Sequence, residues 1–373
     1  MYFGLSDNQT LLQDSVRRTL ERDAPLDDIR KFAQGDNTPL HTIHASLTEL
    51  GLPLTLIPEA EGGLGLGVLE VALVQEMLGR YAAPSPFAAA YGMAVAGLRV
   101  AQADKQAKDW LGRIASGVVI MAVGVNEQID CREDCGVVAS GDKLSGKARF
   151  LLGADLATHY LLAIKEGLAI IEKDAKGVKE IALTTIDKTR NVCALELKGA
   201  TAHIIKDKGA AVAAMINSGR VLLAADTLGA ADMMLEKAVA YAKEREQFNR
   251  PIGSFQAVKH MCAEMAAKLE PCRALVWYAA YAQDNSEEDS EAALMSRLAQ
   301  THLSEVGQYV ARTATEVHGG MGFTDLLGLH YWFKRIGSNR LMLGAPEFVR
   351  AEAAALQNWG TKIGDKNWGQ KLG

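Results

Sequence analysis

Two short stretches in the C-terminal half of this 373-residue chain carry side chains that packing does not require. The first, YAKEREQFNRPIGSFQAVKH from Tyr241 to His260, gathers Arg245, Phe248, Arg250, Gln256 and Lys259 around a loop that holds Pro251 and Gly253. A guanidinium presents paired N–H donors in one plane, and beside an aromatic ring and an amide it suits a diphosphate and a neighbouring heterocycle. On composition alone the blander reading, a solvated helix end with i,i+4 charge pairs, is favoured. The second stretch, EVHGGMGFTD from Glu316 to Asp325, sets Gly319, Gly320 and Gly322 across the end of a helical pattern, where a helix stop needs only one glycine. Backbone stripped of side chains over several residues permits close approach of something flat or phosphorylated.

Metal and disulfide chemistry find less support. Cys131 and Cys135 have a C-x3-C spacing, but no second Cys or His pair follows at ligand spacing, and His41 and His44 fit a partly exposed helix face better than coordination. Five cysteines without a secretory signal do not describe a disulfide framework, so free thiols are expected.

The elements that must hold these stretches fall into three groups. Up to about residue 115 the pattern is helical: Ser6 with Gln9 forms a capping-box pattern, Leu12, Val16 and Leu20 make one apolar stripe, and Thr38 is read as a cap with Pro39 first in its helix. The run LPLTLIPEAEGGLGLG is too rich in Pro and Gly for a helix and reads as a loop. From about Val118 to Ile205, short apolar or alternating runs separated by Gly, Asp, Asn and Lys predict a β domain of roughly six strands without βαβ units. After about residue 209 long helices return. Ser218 is read as a cap for one that is apolar nearly all round, and Pro271 should kink another. The expected fold is mainly α with a central β domain: an N-terminal helical domain (1–115), a middle β-barrel-like domain (116–208) and a C-terminal four-helix bundle (209–373).

Composition agrees with that division and removes some partners. Hydrophobic residues make up 49% of the chain and aromatics 6%, as helix–helix packing through Ala, Leu and Met requires. With 40 Lys+Arg against 45 Asp+Glu there is no basic excess to neutralise a nucleic-acid backbone. No run of about 18 uncharged apolar residues occurs, and MYFGLSDNQT has neither a basic nor an apolar leader region. A cytoplasmic protein with no membrane and no nucleic-acid partner is expected.

In order and spacing these features resemble the acyl-CoA dehydrogenase family. Its REQFGRPIGSFQ and QVHGGxGF motifs match REQFNRPIGSFQ (Arg245–Gln256) and EVHGGMGF (Glu316–Phe323); LSDNQ, IPEAEGGLGLG and TRNVCALELKGA also look like family landmarks. The resemblance implies FAD lying across a subunit interface. Arg245 would hold the pyrophosphate of a neighbour's cofactor, Phe248 would lie beside it, and Gln256 would sit on the adenosine side. Gly319 and Gly320 would close over the same half, and Phe150 would pack on the flavin ring. Glu316 stands where the family has Gln, an anion in place of a donor near phosphates, which weakens that contact or changes its partner. The partners implied are an acyl-CoA thioester, an electron-transfer flavoprotein or similar acceptor, and a homotetramer or a heterotetramer with a homologous subunit.

The resemblance fails where the chemistry should be. The family's reaction needs a carboxylate within reach of the acyl α-carbon. One usual position falls on Gly344, the other on Gly219 or Ser218, so the catalytic base is not identified; Asp226 and Glu347 are the nearest carboxylates in sequence. The aromatic of the flavin wall survives as Phe150, but Leu152 replaces the hydroxyl residue, and NEQIDCREDC replaces the usual acidic, glycine-rich loop. The asymmetry suggests acyl-CoA dehydrogenation either by this chain or by a complex in which it is the non-catalytic subunit. A flavin-dependent oxidase or monooxygenase relative is the other enzyme reading.

Overall fold

The structure, a computed structural model, describes residues 4–129, 135–207, 209–286 and 289–357, so residues 130–134 of the NEQIDCREDC run, Cys131 among them, lie outside it. Ser6 Oγ accepts the Gln9 N–H at 3.3 Å and Gln9 Oε1 accepts the Ser6 N–H at 2.9 Å, closing the expected box at the head of α1 (Asp7–Asp23). Four helices follow in α2 (Leu26–Ala33), α3 (Thr38–Glu49), α4 (Val68–Arg80) and, after a π-helical turn at Ala88–Met93, α5 (Ala94–Val100); α6 (Lys105–Ala115) ends the region. Thr38 is the first residue of α3 rather than its cap. Asn37 holds the cap position, and Asp36 Oδ1 accepts the Thr38 N–H at 2.9 Å, so the orphan donor is satisfied one residue earlier.

The middle of the chain forms a mixed sheet of eight strands: β1 (Met121–Gly124), β2 (Gly136–Ser140), β3 (Lys143–Leu152), β4 (His159–Ile164), β5 (Gly167–Glu172), β6 (Val178–Leu183), β7 (Val192–Thr201) and β8 (His203–Lys206). Their order is β6-β7-β3-β1-β4-β5-β8, with β2 added to β3. β1 and β4 run parallel, yet β2 and β3 lie between them in the chain, so no βαβ unit arises. Two strands exceed the expected six because β2 and β8 are only five and four residues long. The register of β3 against β7 breaks between Ala148 and Leu151, and there Phe150 takes φ +56°. This bulge turns the Phe150 ring outward.

After β8 come α7 (Ala210–Glu244), a hairpin of β9 (Glu246–Gln247) and β10 (Arg250–Pro251), then α8 (Gln256–Asn285), α9 (Asp289–His318), α10 (Leu329–Asn339) and α11 (Pro346–Leu356). Ser218 does not cap α7, which starts after Gly209 (φ +97°) and runs straight through it. A helix buried all round shows no polar edge in its sequence, so its beginning is invisible to periodicity. By length and hydropathy α7 would cross a membrane, but 83% of its most apolar window is buried within the protein, which makes it a core helix. α8 continues through Pro271.

α7 also locks the two helical regions together. A Cβ on Gly79 of α4 would lie 2.0 Å from the Asp226 carbonyl, and one on Gly229 of α7 would lie 1.8 Å from the Glu76 carbonyl. The two backbones touch, and one hydrophobic core spans both helical regions while a second fills the sheet.

Candidate functional site

The C-terminal end of α7 builds the first half of the site. Arg245 leaves the helix with extended backbone, its N–H bonded to the Tyr241 carbonyl at 2.8 Å and its carbonyl accepting the Ile252 N–H at 2.7 Å. What the sequence presents as a loop is a tight hairpin: Phe248 and Asn249 both have positive φ (+53° and +60°), the two-residue turn that matches strand twist. Phe248 is 88% exposed at its tip, Gln256 is exposed on the first turn of α8, and Arg245 makes no ion pair among the described residues. The guanidinium that lies over a ring is that of Arg250, 3.9 Å from the centroid of Phe255.

The glycine turn follows α9. Gly319 has φ +57°, and a Cβ on Gly319 or Gly320 would meet nothing within 4 Å, so both face open space. Gly322 serves packing, since its Cβ would sit 2.6 Å from the Thr315 carbonyl. Glu316 is exposed on the last turn of α9. A guanidinium without a counterion and backbone without side chains fit a diphosphate.

The second half lies elsewhere. A cavity of about 520 Å³ opens between the sheet and the segment joining α10 to α11, walled by Phe150, Ile186, Val192, Leu341, Met342 and Phe348. Its wall is mainly apolar, and Phe150 stands in it. Thr185 and Ser338 bring hydroxyls that no motif indicated, although Thr185 Oγ1 already donates to the Asp187 carbonyl at 2.8 Å. The carboxylate on this wall is Glu127, whose Oε1 accepts the Arg149 N–H at 2.5 Å.

A side chain at either usual base position would have to displace neighbouring side-chain tips, and at Gly344 it would also meet a left-handed backbone. Gly344 has φ +108°, and a Cβ there would lie 2.7 Å from Val349 Cγ2. A Cβ on Gly219 would lie 2.5 Å from Leu343 Cδ1 and 2.8 Å from Met93 Cε. Beneath this loop the buried Arg220 donates to the Leu343 carbonyl through Nε and Nη2, both at 3.1 Å, and its Nη1 lies 2.7 Å from Glu352.

The structure also removes both substitute bases. Burial alone would raise the Asp226 carboxyl, but Arg335, Arg190 and Asn339 outweigh it and hold it down at about 2. Arg335 Nη2 and Gln75 Nε2 both reach Asp226 Oδ2 at 2.7 Å, while Asn339 Nδ2 and Arg335 Nε reach Oδ1 at 2.7 and 2.9 Å. With every lone pair engaged, Asp226 is a structural hub and not a base. Glu347 is exposed on the first turn of α11 beside Arg340, at 3.3 Å, outside the cavity wall. Its own amide N–H and Arg340 hold it below the usual carboxylate range, the wrong direction for a base. Ser218 is buried with no partner for its hydroxyl and offers no carboxylate.

Twenty-five residues of α7 separate Arg220, level with the cavity, from Arg245, about 37 Å at the helical rise of about 1.5 Å per residue. A dinucleotide is shorter than that even when extended. One chain's cavity and the same chain's hairpin therefore cannot hold the same cofactor molecule.

This fold and divided site belong to a known class. The chain matches the family models for the acyl-CoA dehydrogenase N-terminal domain over residues 6–118 and C-terminal domain over residues 207–356. It belongs to the acyl-CoA dehydrogenase family, FAD-dependent oxidoreductases acting on CH–CH groups. Among similar proteins, the acyl-CoA dehydrogenase IpdE2 of Mycolicibacterium smegmatis is 28% identical over 346 residues, covering 92% of this chain and 96% of that protein. Caffeyl-CoA reductase-Etf complex subunit CarC of Acetobacterium woodii is 25% identical, covering 87% and 90%. Among solved structures, a Tcur3481-Tcur3483 steroid ACAD variant superposes with a TM-score of 0.85 at 26% identity, covering 95% of this chain and 99% of that one.

Proposed function

We propose that the chain is one subunit of a heteromeric FAD-dependent acyl-CoA dehydrogenase, and that it completes a cofactor site seated chiefly on a homologous catalytic chain. Arg245 supplies the cation for the diphosphate, Gly319 and Gly320 supply open backbone, Gln256 supplies an amide for the adenosine side, and Phe248 covers the join. Bound FAD supplies the two-electron acceptor for α,β-dehydrogenation of the thioester. The proton from the α-carbon would go to a carboxylate of the partner, because the two usual base positions are Gly219 and Gly344 here and Glu127, on the cavity wall, already accepts the Arg149 N–H. Phe150 and the cavity around it are the remnant of this chain's own flavin wall.

The observation that carries this reading is the contrast between Gly219 and Gly344, where neighbouring side chains occupy the space of a Cβ and no carboxylate stands, and Gly319 and Gly320, which face open space. Similarity to proteins whose names specify a steroid ACAD or an Etf complex supports a bulky acyl-CoA substrate, an electron-transfer flavoprotein as acceptor and a heteromeric assembly. The test is purification of the chain alone and co-expressed with a homologous chain that carries the base carboxylate, followed by a visible spectrum and a dye-linked dehydrogenase assay. Flavin and turnover should appear in the complex. Stoichiometric FAD and turnover in the lone chain overturn the proposal.

A further inference from the structure

The two motifs at the open end are about 70 residues apart in sequence, at the ends of different helices, yet a diphosphate cradle works only if their spacing is fixed. One pair of rings connects them. Tyr241, one turn before Arg245 on α7, lies against His318, the last residue of α9, with centroids 4.6 Å apart and planes 30° from parallel. Each ring is tied to its own motif. The Tyr241 carbonyl accepts the Arg245 N–H at 2.8 Å, and His318 directly precedes Gly319.

His318 is itself held firmly. It is buried, and its Nδ1 lies 2.7 Å from the Ala314 carbonyl; a carbonyl only accepts, so Nδ1 carries the proton and the ring orientation is fixed. Gly322 seats the far side of the turn against the Thr315 carbonyl, and Gly253 seats the hairpin against the Ala242 carbonyl, where its Cβ would lie 2.8 Å away. The turn and the hairpin are thus each rigid on their own helix. The stack is an aromatic contact joining the two helix ends.

We infer that Tyr241 and His318 form a positioning pair that sets the distance between Arg245 and the Gly319–Gly320 backbone, and thereby the affinity of this chain's half-site for the diphosphate of FAD. The inference rests on the proposed function, because it assumes that this end meets a cofactor. Neither ring touches the diphosphate; both act through their neighbours. The ring face of Tyr241 matters and its hydroxyl does not.

The test uses the complex of this chain with its homologous partner and measures the FAD dissociation constant by flavin fluorescence, with acyl-CoA KM and the melting temperature alongside. Tyr241→Ala should raise the dissociation constant about fivefold to tenfold, the size expected for one lost aromatic stack, with KM unchanged. Tyr241→Phe should restore it. Should Tyr241→Ala fail to assemble, Tyr241→Leu keeps volume but loses the stacked face, and the same criteria apply. Arg245→Gln is the reference. Weaker FAD binding in Arg245→Gln but not in the Tyr241 variants overturns the positioning role alone, as does a Tyr241→Phe that fails to rescue. Unchanged binding in Arg245→Gln overturns the half-site reading and this inference together.

Discussion

The two ends of α7 treat glycine in opposite ways. Towards its N-terminus, Gly219 and the facing Gly344 stand where neighbours already occupy the space of a side chain, with Leu343, Met93 and Val349 atoms 2.5 to 2.8 Å from the ideal Cβ positions. Beyond its C-terminus, the turn of Gly319 and Gly320 has nothing within 4 Å. The same residue type records a closed site at one place and an open one at the other. A missing catalytic carboxylate could have been a single substitution in an otherwise intact pocket. The packing adds to that, since the Leu343 side chain lies against the Gly219 position and the buried Arg220 holds the Leu343 carbonyl.

That contrast can be broken at the closed side first. Asp226→Asn leaves Arg335 buried without its anion and should cost about 3 to 5 kcal/mol in chemical denaturation. Asp226 titrates at about 2 in the folded chain against roughly 4 unfolded, so its stabilisation is complete above pH 4 and lost as pH falls towards 2. The variant's stability should accordingly vary less than the wild type's across that window; an unchanged acid limb would remove Asp226 from its hub. Next in size, Gly344→Glu restores a carboxylate in sequence but meets Val349 and a positive φ, and should cost about 3 kcal/mol without conferring dehydrogenation on the lone chain. Turnover gained at wild-type stability would show that the site is not closed. The smallest effect belongs to the open end: Gly320→Ala should change stability by less than about 0.5 kcal/mol, read from the melting temperature. A larger loss would mean that the turn is packed rather than open.

Much of this was legible in sequence where the cause is local. The Ser6–Gln9 box, the breaks in helix grammar near residues 115 and 209, and the two C-terminal motifs all depend on residues a few positions apart. The hub around Asp226 was not legible, because its partners Gln75, Arg335 and Asn339 come from α4 and α10, and an Asp in an apolar helix looks like a spare carboxylate until they are placed. The family resemblance drew attention to Phe150, but its left-handed backbone, the reason the ring points into the cavity, is a property of the β3 bulge and not of any motif. At the hairpin, the sequence shows several cations beside several rings and does not say which pairs form; the fold puts Arg250 over Phe255, and Arg245 makes no ion pair among the described residues.

The length of α7 has an evolutionary consequence. A rod of 35 residues holds its two ends at a fixed separation and angle, so exchanging side chains around Gly219 leaves Arg245 in place as long as no residue is inserted between them. Substitutions could thus accumulate at one end while selection preserved the other, whereas a single deletion within the rod would swing the hairpin by about 100° around the axis. A duplicated gene carrying such a rod can divide its labour with its sister copy, one retaining the chemistry and the other the grip on a shared cofactor.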